Sequence, residues 1–158
     1  MRALSTRARI VVAWLPAVLY TSLIWWLSSR ALDVPLMGYV PLQDKGVHFL
    51  EYGALSLFIT HAIATTWRER GVRALIAASL VTTALGLMDE LHQAFVPGRS
   101  SDDLDLMADA IGAFFFSAAY LLLLHWLALR SARLPGAGAE SSSPRLSGGE
   151  ATSESRLE

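Results

Sequence analysis

The chain has 158 residues, of which 53% are hydrophobic and only 17% charged, well below the roughly 25% charged residues of soluble domains. Its 13 Lys and Arg against 14 Asp and Glu leave a net charge of −1, which excludes a bulk electrostatic pull on nucleic acid. It has no cysteine, so disulfides, thiol catalysis and thiolate metal sites are excluded as well.

The apolar residues gather into four long blocks that are apolar on all sides rather than on one stripe, as helices in lipid are. The first predicted span is Ile10–Ser28, preceded by Arg2, Arg7 and Arg9. Its apolar run to Leu27 is longer than the roughly 7–15 residues of a signal-peptide core, and no small-x-small cleavage site follows, so it reads as an uncleaved helix. Pro16 is a kink position that membrane helices tolerate. Trp25 and Trp26 suit a membrane interface.

The second predicted span is Val47–Trp67, and it opens on Asp44, Lys45, His48, Glu51 and Tyr52. At spacings of three and four residues, Asp44, His48, Glu51 and Tyr52 stack on one helix face. The third is Val72–Phe95, where Gly86, Glu90 and Gln93 share a small and polar face that Ser79 and Thr83 extend, with Asp89 to its side. Pro97-Gly98 then marks a tight turn carrying Arg99. The fourth is Leu106–Leu129, with Asp105, Asp109 and Gly112 on one face of its start. Each span holds about 20 residues, enough for ~30 Å of hydrocarbon at 1.5 Å per residue.

The expected fold is therefore all-α: a polytopic membrane protein with a four-transmembrane-helix bundle and a disordered C-terminal tail. Residues 1–9 form a basic N-terminus, 10–130 the membrane domain, and 131–158 a tail rich in Ser, Gly, Pro and Glu that cannot bury enough apolar surface to order itself.

Eight basic residues (Arg2, Arg7, Arg9, Arg68, Arg70, Arg73, Arg130 and Arg133) flank the spans on one side, against Arg30, Lys45 and Arg99 on the other. The positive-inside rule places both termini in the cytoplasm and the links 29–46 and 96–105 outside. The polar start of span two, the polar end of span three and the polar start of span four then meet at one depth near the outer leaflet. Charges in hydrocarbon cost at least about 2.5–3.5 kcal/mol, so those that persist pair, line water or do chemistry.

Within this cluster His48 and Glu90 are the candidate catalytic residues. His48 suits a general acid–base, a metal ligand or a structural hydrogen bond between spans. Glu90 suits an acid, or an ion pair with Lys45 or Arg99. Candidate ligand-binding residues are Asp44, Lys45, Glu51, Tyr52, Asp89, Gln93, Arg99, Asp105 and Asp109. Arg99 suits an anionic headgroup or phosphate, or else Asp102, Asp103 or Asp105. Glu51, Tyr52 and Gln93 also read as packing and hydrogen-bonding partners, His61, His92 and His125 as structural, and Asp102 and Asp103 as solvated loop charges. His48 and Glu90 with Asp105 or Asp109 form a set able to hold a hard cation. No tight ligand motif such as HExxH is present, so no metal and no cofactor is assigned.

In these residues the chain resembles the VanZ-like family. The elements are Asp44-Lys45-x-x-His48-Phe49-x-Glu51-Tyr52, Asp89-Glu90-x-x-Gln93, Pro97-Gly98-Arg99-Ser100, and Asp105 with Gly112 seven later. Together they cover residues 44–124. Where that family often carries Asn, this chain has Asp109, which sets two acids one helical turn apart. The resemblance implies a multi-pass protein of the bacterial cytoplasmic membrane, associated with lowered susceptibility to the glycopeptide teicoplanin, and supplies no reaction. Its implied partners are membrane lipids and a lipid-linked cell-wall precursor or the glycopeptide. Two other readings stand beside it: an intramembrane enzyme modifying lipids or phospholipids, with His48 as base, Glu90 as acid and Arg99 as phosphate clamp, and an accessory structural subunit in which the cluster is interhelical glue.

Overall fold

The computed structural model describes residues 5–30 and 43–133, and these are all-helical apart from turns. The helices are α1 (Thr6–Ser28), α2 (Gln43–Thr66), α3 (Val72–Gln93) and α4 (Asp103–Arg133). All four are long and apolar enough to cross a membrane. The expected C-terminal tail lies outside the described residues.

Helices α1, α2 and α4 begin earlier than their apolar blocks do, because capping and charge extend them, whereas α3 begins at Val72 as expected. At α1, Ser5 accepts a hydrogen bond from the Ala8 amide at 3.2 Å, satisfying a donor that has no partner within the helix. At α4, Asp102 does the same for Leu104 at 2.9 Å, and Asp103 and Asp105 in the first turn complement the positive end of the helix dipole. This helix continues through Arg133, three residues past the expected end of the membrane domain. Helix α1 runs on through Pro16.

Two tight turns fold neighbouring helices antiparallel. Between α2 and α3 the chain reverses with Arg68 in the left-handed region, at φ 56°. Between α3 and α4, Val96-Pro97-Gly98-Arg99 closes with an Arg99 amide to Val96 carbonyl bond of 3.1 Å, and Gly98 has φ 85°. Proline second and a positive-φ glycine third are what a type II turn requires.

Helix α2 is the centre of the bundle: 56% of its apolar stretch is buried, against 17% for α1. Its line Tyr52, Leu55, Ile59 and Ile63 packs with Ala17 and Ile24 of α1, Ala74 and Ala78 of α3 and Leu121 of α4. The approach of α4 depends on glycine. A Cβ on Gly112 would overlap the Phe49 carbonyl oxygen, and one on Gly53 would lie 2.7 Å from the Phe116 ring. A buried hydroxyl chain crosses the same contact, Thr60 Oγ1 donating to the Ser56 carbonyl at 2.6 Å and meeting the Ser117 hydroxyl at 2.9 Å. The large apolar residues left exposed, among them Val12, Leu19, Leu80, Ile111, Phe115 and Leu122, lie on all four helices. Such a surface suits hydrocarbon rather than water.

On α3 the buried stripe is Ala74, Ala78, Thr82, Gly86, Asp89, Glu90 and Gln93. It passes through Thr82 rather than the expected Ser79 and Thr83. Alanine supplies the small surface on this face, which polarity alone did not reveal.

Candidate functional site

One end of the bundle gathers the start of α2, the end of α3, the start of α4 and the end of α1. His48 projects from the second turn of α2 and is buried, as are Glu90, Asp105 and Asp109. Its Nδ1 lies 3.1 Å from Asp109 Oδ1 and 3.9 Å from Glu90 Oε1, and its Nε2 lies 4.0 Å from Asp105 Oδ2. Three carboxylates from two helices thus surround one imidazole. The ring of Tyr52, one turn on, lies parallel to it with centroids 6.1 Å apart.

Asp109 fits because of Gly86. A Cβ at Gly86 would lie 2.5 Å from Asp109 Oδ2, so α3 leaves the carboxylate its space. That oxygen and Glu90 Oε1 are both buried without a hydrogen-bond partner.

A second layer ties the loop to the cluster. Lys45 Nζ bridges Asp102 Oδ2 at 2.6 Å and Asp105 Oδ1 at 2.8 Å. The Asp102 amide donates to Glu90 Oε2 at 2.9 Å. Asp102 therefore caps α4, pairs with Lys45 and fastens the loop to α3. The Lys45 hydrogen bond is the main reason its carboxyl is held below the ordinary value of 3.8. Sequence reasoning left Asp102 among the solvated charges. The available signal was an aspartate just ahead of an apolar helix, the preferred N-cap arrangement.

Asp89 belongs to a separate buried network, accepting from Ser28 Oγ at 2.8 Å and from Gln93 Nε2 at 2.9 Å. Beside it Ser29 Oγ meets His92 Nε2 at 3.0 Å, and the His92 ring lies parallel to Trp25. These contacts attach α1 to α3, and no motif in the sequence marks Ser28 or Ser29. Tyr52 is buried, with its hydroxyl turned toward Asp89.

The remaining predicted residues are placed differently. Neither of the expected basic partners of Glu90 pairs with it: Lys45 goes to Asp102 and Asp105, because these sit directly across from the first turn of α2. Arg99 joins no ion pair among the described residues, and its Nε is buried without a partner. Glu51 is half-buried and likewise unpaired among them. Asp44 is exposed, yet one of its oxygens lies within 4.8 Å of ligand atoms of both His48 and Asp105. Of the other histidines, His61 Nδ1 contacts the Tyr120 hydroxyl at 2.8 Å. In the Phe114–Phe116 run, Phe114 and Phe115 are exposed, and Phe116 packs on Phe49.

Chemically, the arrangement offers an oriented imidazole, several buried carboxylate oxygens and, at the adjoining turn, a guanidinium that is unpaired among the described residues. A family model, VanZ/LLP1, matches residues 5–127. The chain belongs to the VanZ/LLP1 family. The match takes in α1, which the resemblance read from the motifs did not, along with the whole polar end of the bundle. Comparison with curated proteins and with solved structures finds no match. Within this VanZ/LLP1 chain, Asp109 is the residue that sequence reasoning marked as a departure. It occupies the position from which His48 is held.

Proposed function

We propose that this VanZ/LLP1 protein is a multi-pass protein of the bacterial cytoplasmic membrane whose polar cluster faces the extracytoplasmic side and engages a lipid or lipid-linked cell-wall precursor, lowering susceptibility to glycopeptides such as teicoplanin. The basic residues support the orientation: Arg7, Arg9, Arg68, Arg70 and Arg73 lie at the end opposite the cluster. The observation that carries the reading is Arg99, which joins no ion pair among the described residues, on the turn next to the His48–Glu90–Asp109 group. A guanidinium at such a turn is suited to a phosphate.

The test is the teicoplanin susceptibility of a sensitive bacterial host expressing wild type, Arg99→Ala, His48→Ala or Glu90→Gln, with membrane levels matched by immunoblot. Protection by wild type, lost in all three variants at equal abundance, is the expected result. Absence of protection by wild type removes the proposal. Glu90→Gln also separates the structural reading, under which the same change lowers the level or melting temperature instead.

A further inference from the structure

We propose that Asp44, His48 and Asp105 hold a divalent transition-metal cation, with Asp109 fixing the imidazole from behind. His48 directs Nδ1 to Asp109 Oδ1 at 3.1 Å. In the tautomer that donates Nδ1–H to Asp109, Nε2 presents its lone pair toward Asp105 Oδ2, 4.0 Å away. In that tautomer two acceptors face each other, and a cation between them relieves their repulsion. The separation is too long for a proton on Nε2 to be shared directly, but it is close to that of two ligands of one cation. At metal–ligand bonds of about 2.0–2.2 Å, tetrahedral ligands stand about 3.4 Å apart. A ligating histidine that donates its other ring nitrogen to a carboxylate is the usual outer-shell arrangement of such sites.

Asp44 supplies the third ligand. It lies one helical turn before His48, and its oxygen, His48 and Asp105 present ligand atoms all within 4.8 Å of one another. Its exposure provides an entry path and leaves room for water as a fourth ligand. Lys45 does not block the site, since it occupies Asp105 Oδ1 and leaves Oδ2 facing His48.

Independent support comes from the groups behind the imidazole. Glu90 is 3% exposed and Asp109 0%. Each has one buried oxygen with no hydrogen bond among the described residues, and that of Glu90 lies 3.9 Å from His48 Nδ1. With Asp44, Asp102 and Asp105, five carboxylates meet Lys45 as the one lysine or arginine ion-paired to any of them among the described residues. A divalent cation offsets that excess where a lone buried charge is expensive. One imidazole with two carboxylates suits Zn²⁺ or Mn²⁺.

The proposal stands independently of glycopeptide protection, because its test uses the purified full-length chain in nanodiscs without antibiotic. The protein is stripped with chelator and titrated with Zn²⁺ by calorimetry, and its Co²⁺ complex is read by absorption. One equivalent is expected to bind to wild type, with tetrahedral Co²⁺ bands. Asp44→Asn and Asp105→Asn each weaken binding at least about tenfold, and Asp109→Asn weakens it within about 10–100-fold. Asp103→Asn, a nearby acid outside the set, binds like wild type. If Asp105→Asn does not fold, Asp44→Asn decides, because that side chain is exposed and makes no hydrogen bond among the described residues. Wild type that takes up neither Zn²⁺ nor Co²⁺, or Asp44→Asn that binds like wild type, overturns the site and leaves a protonated imidazole as the counter-charge.

Discussion

At the scale of single residues, the cluster depends on how much space and charge each neighbour concedes. Gly86→Ala places a methyl group against the Asp109 carboxylate, and overpacking of this kind costs typically about 1–3 kcal/mol. The expected result is a lower melting temperature in detergent, and an unchanged one would show that Asp109 has room to move. Asp102 gives a pH dependence whose sign follows from its lowered pKa. A carboxylate held below its unfolded value contributes stability that is complete above that value and is lost as pH falls through the folded one. Thermal melting of wild type should therefore decline on acidification below about pH 4 more steeply than that of Asp102→Asn. Parallel acid limbs for the two proteins would contradict the Lys45–Asp102 assignment.

The polar identities were legible in the sequence, because charged residues inside apolar blocks are conspicuous and must be satisfied somewhere. Their pairing was not. Lys45 reaches Asp102 and Asp105 from more than 50 residues away, and which acid it meets depends on which helices are neighbours. Ser28 shows the same limit, since nothing distinguishes it from any other serine at the end of a span until Asp89 is placed against it.

At the scale of elements, the bundle is organised by α2 against α4. Gly112 brings the two backbones together, whereas a Cβ on Gly46 would meet nothing within 4 Å. The two glycines should therefore respond oppositely to alanine. Gly46→Ala stabilises by about 0.5–1 kcal/mol through lower chain entropy, and Gly112→Ala destabilises by forcing the Phe49 carbonyl away. Thermal melting of the pair checks this, and a stabilised Gly112→Ala would mean that the helices are not in close contact there. The four spans could be read directly from their apolar blocks. The helix ends could not, because Ser5 and Asp102 extend α1 and α4 through capping rather than hydrophobicity. On α3 the predicted Gly86, Glu90 and Gln93 are buried, but the stripe continues through Thr82, Ala78 and Ala74 rather than Thr83 and Ser79, since the alanines carry no polarity that would mark them.

At the scale of the whole molecule, antiparallel neighbours bring three polar helix ends to one end of the bundle and arginines to the other. This separation was legible because topology follows from counting spans and basic residues, without knowing any side-chain contact. The orientation of that arrangement in the membrane is the claim on which the proposed function rests. The chain has no cysteine, so one introduced thiol reports alone. Ser100 is exposed in the turn beside the cluster, and Ser131 is exposed near the opposite end of α4. The decisive measurement is labelling of Ser100→Cys and Ser131→Cys by an impermeant maleimide in intact spheroplasts and after lysis. The account predicts that Ser100→Cys labels in intact cells and Ser131→Cys only after lysis. The reverse pattern would place the His48–Glu90–Asp109 cluster on the cytoplasmic side and contradict an extracytoplasmic ligand.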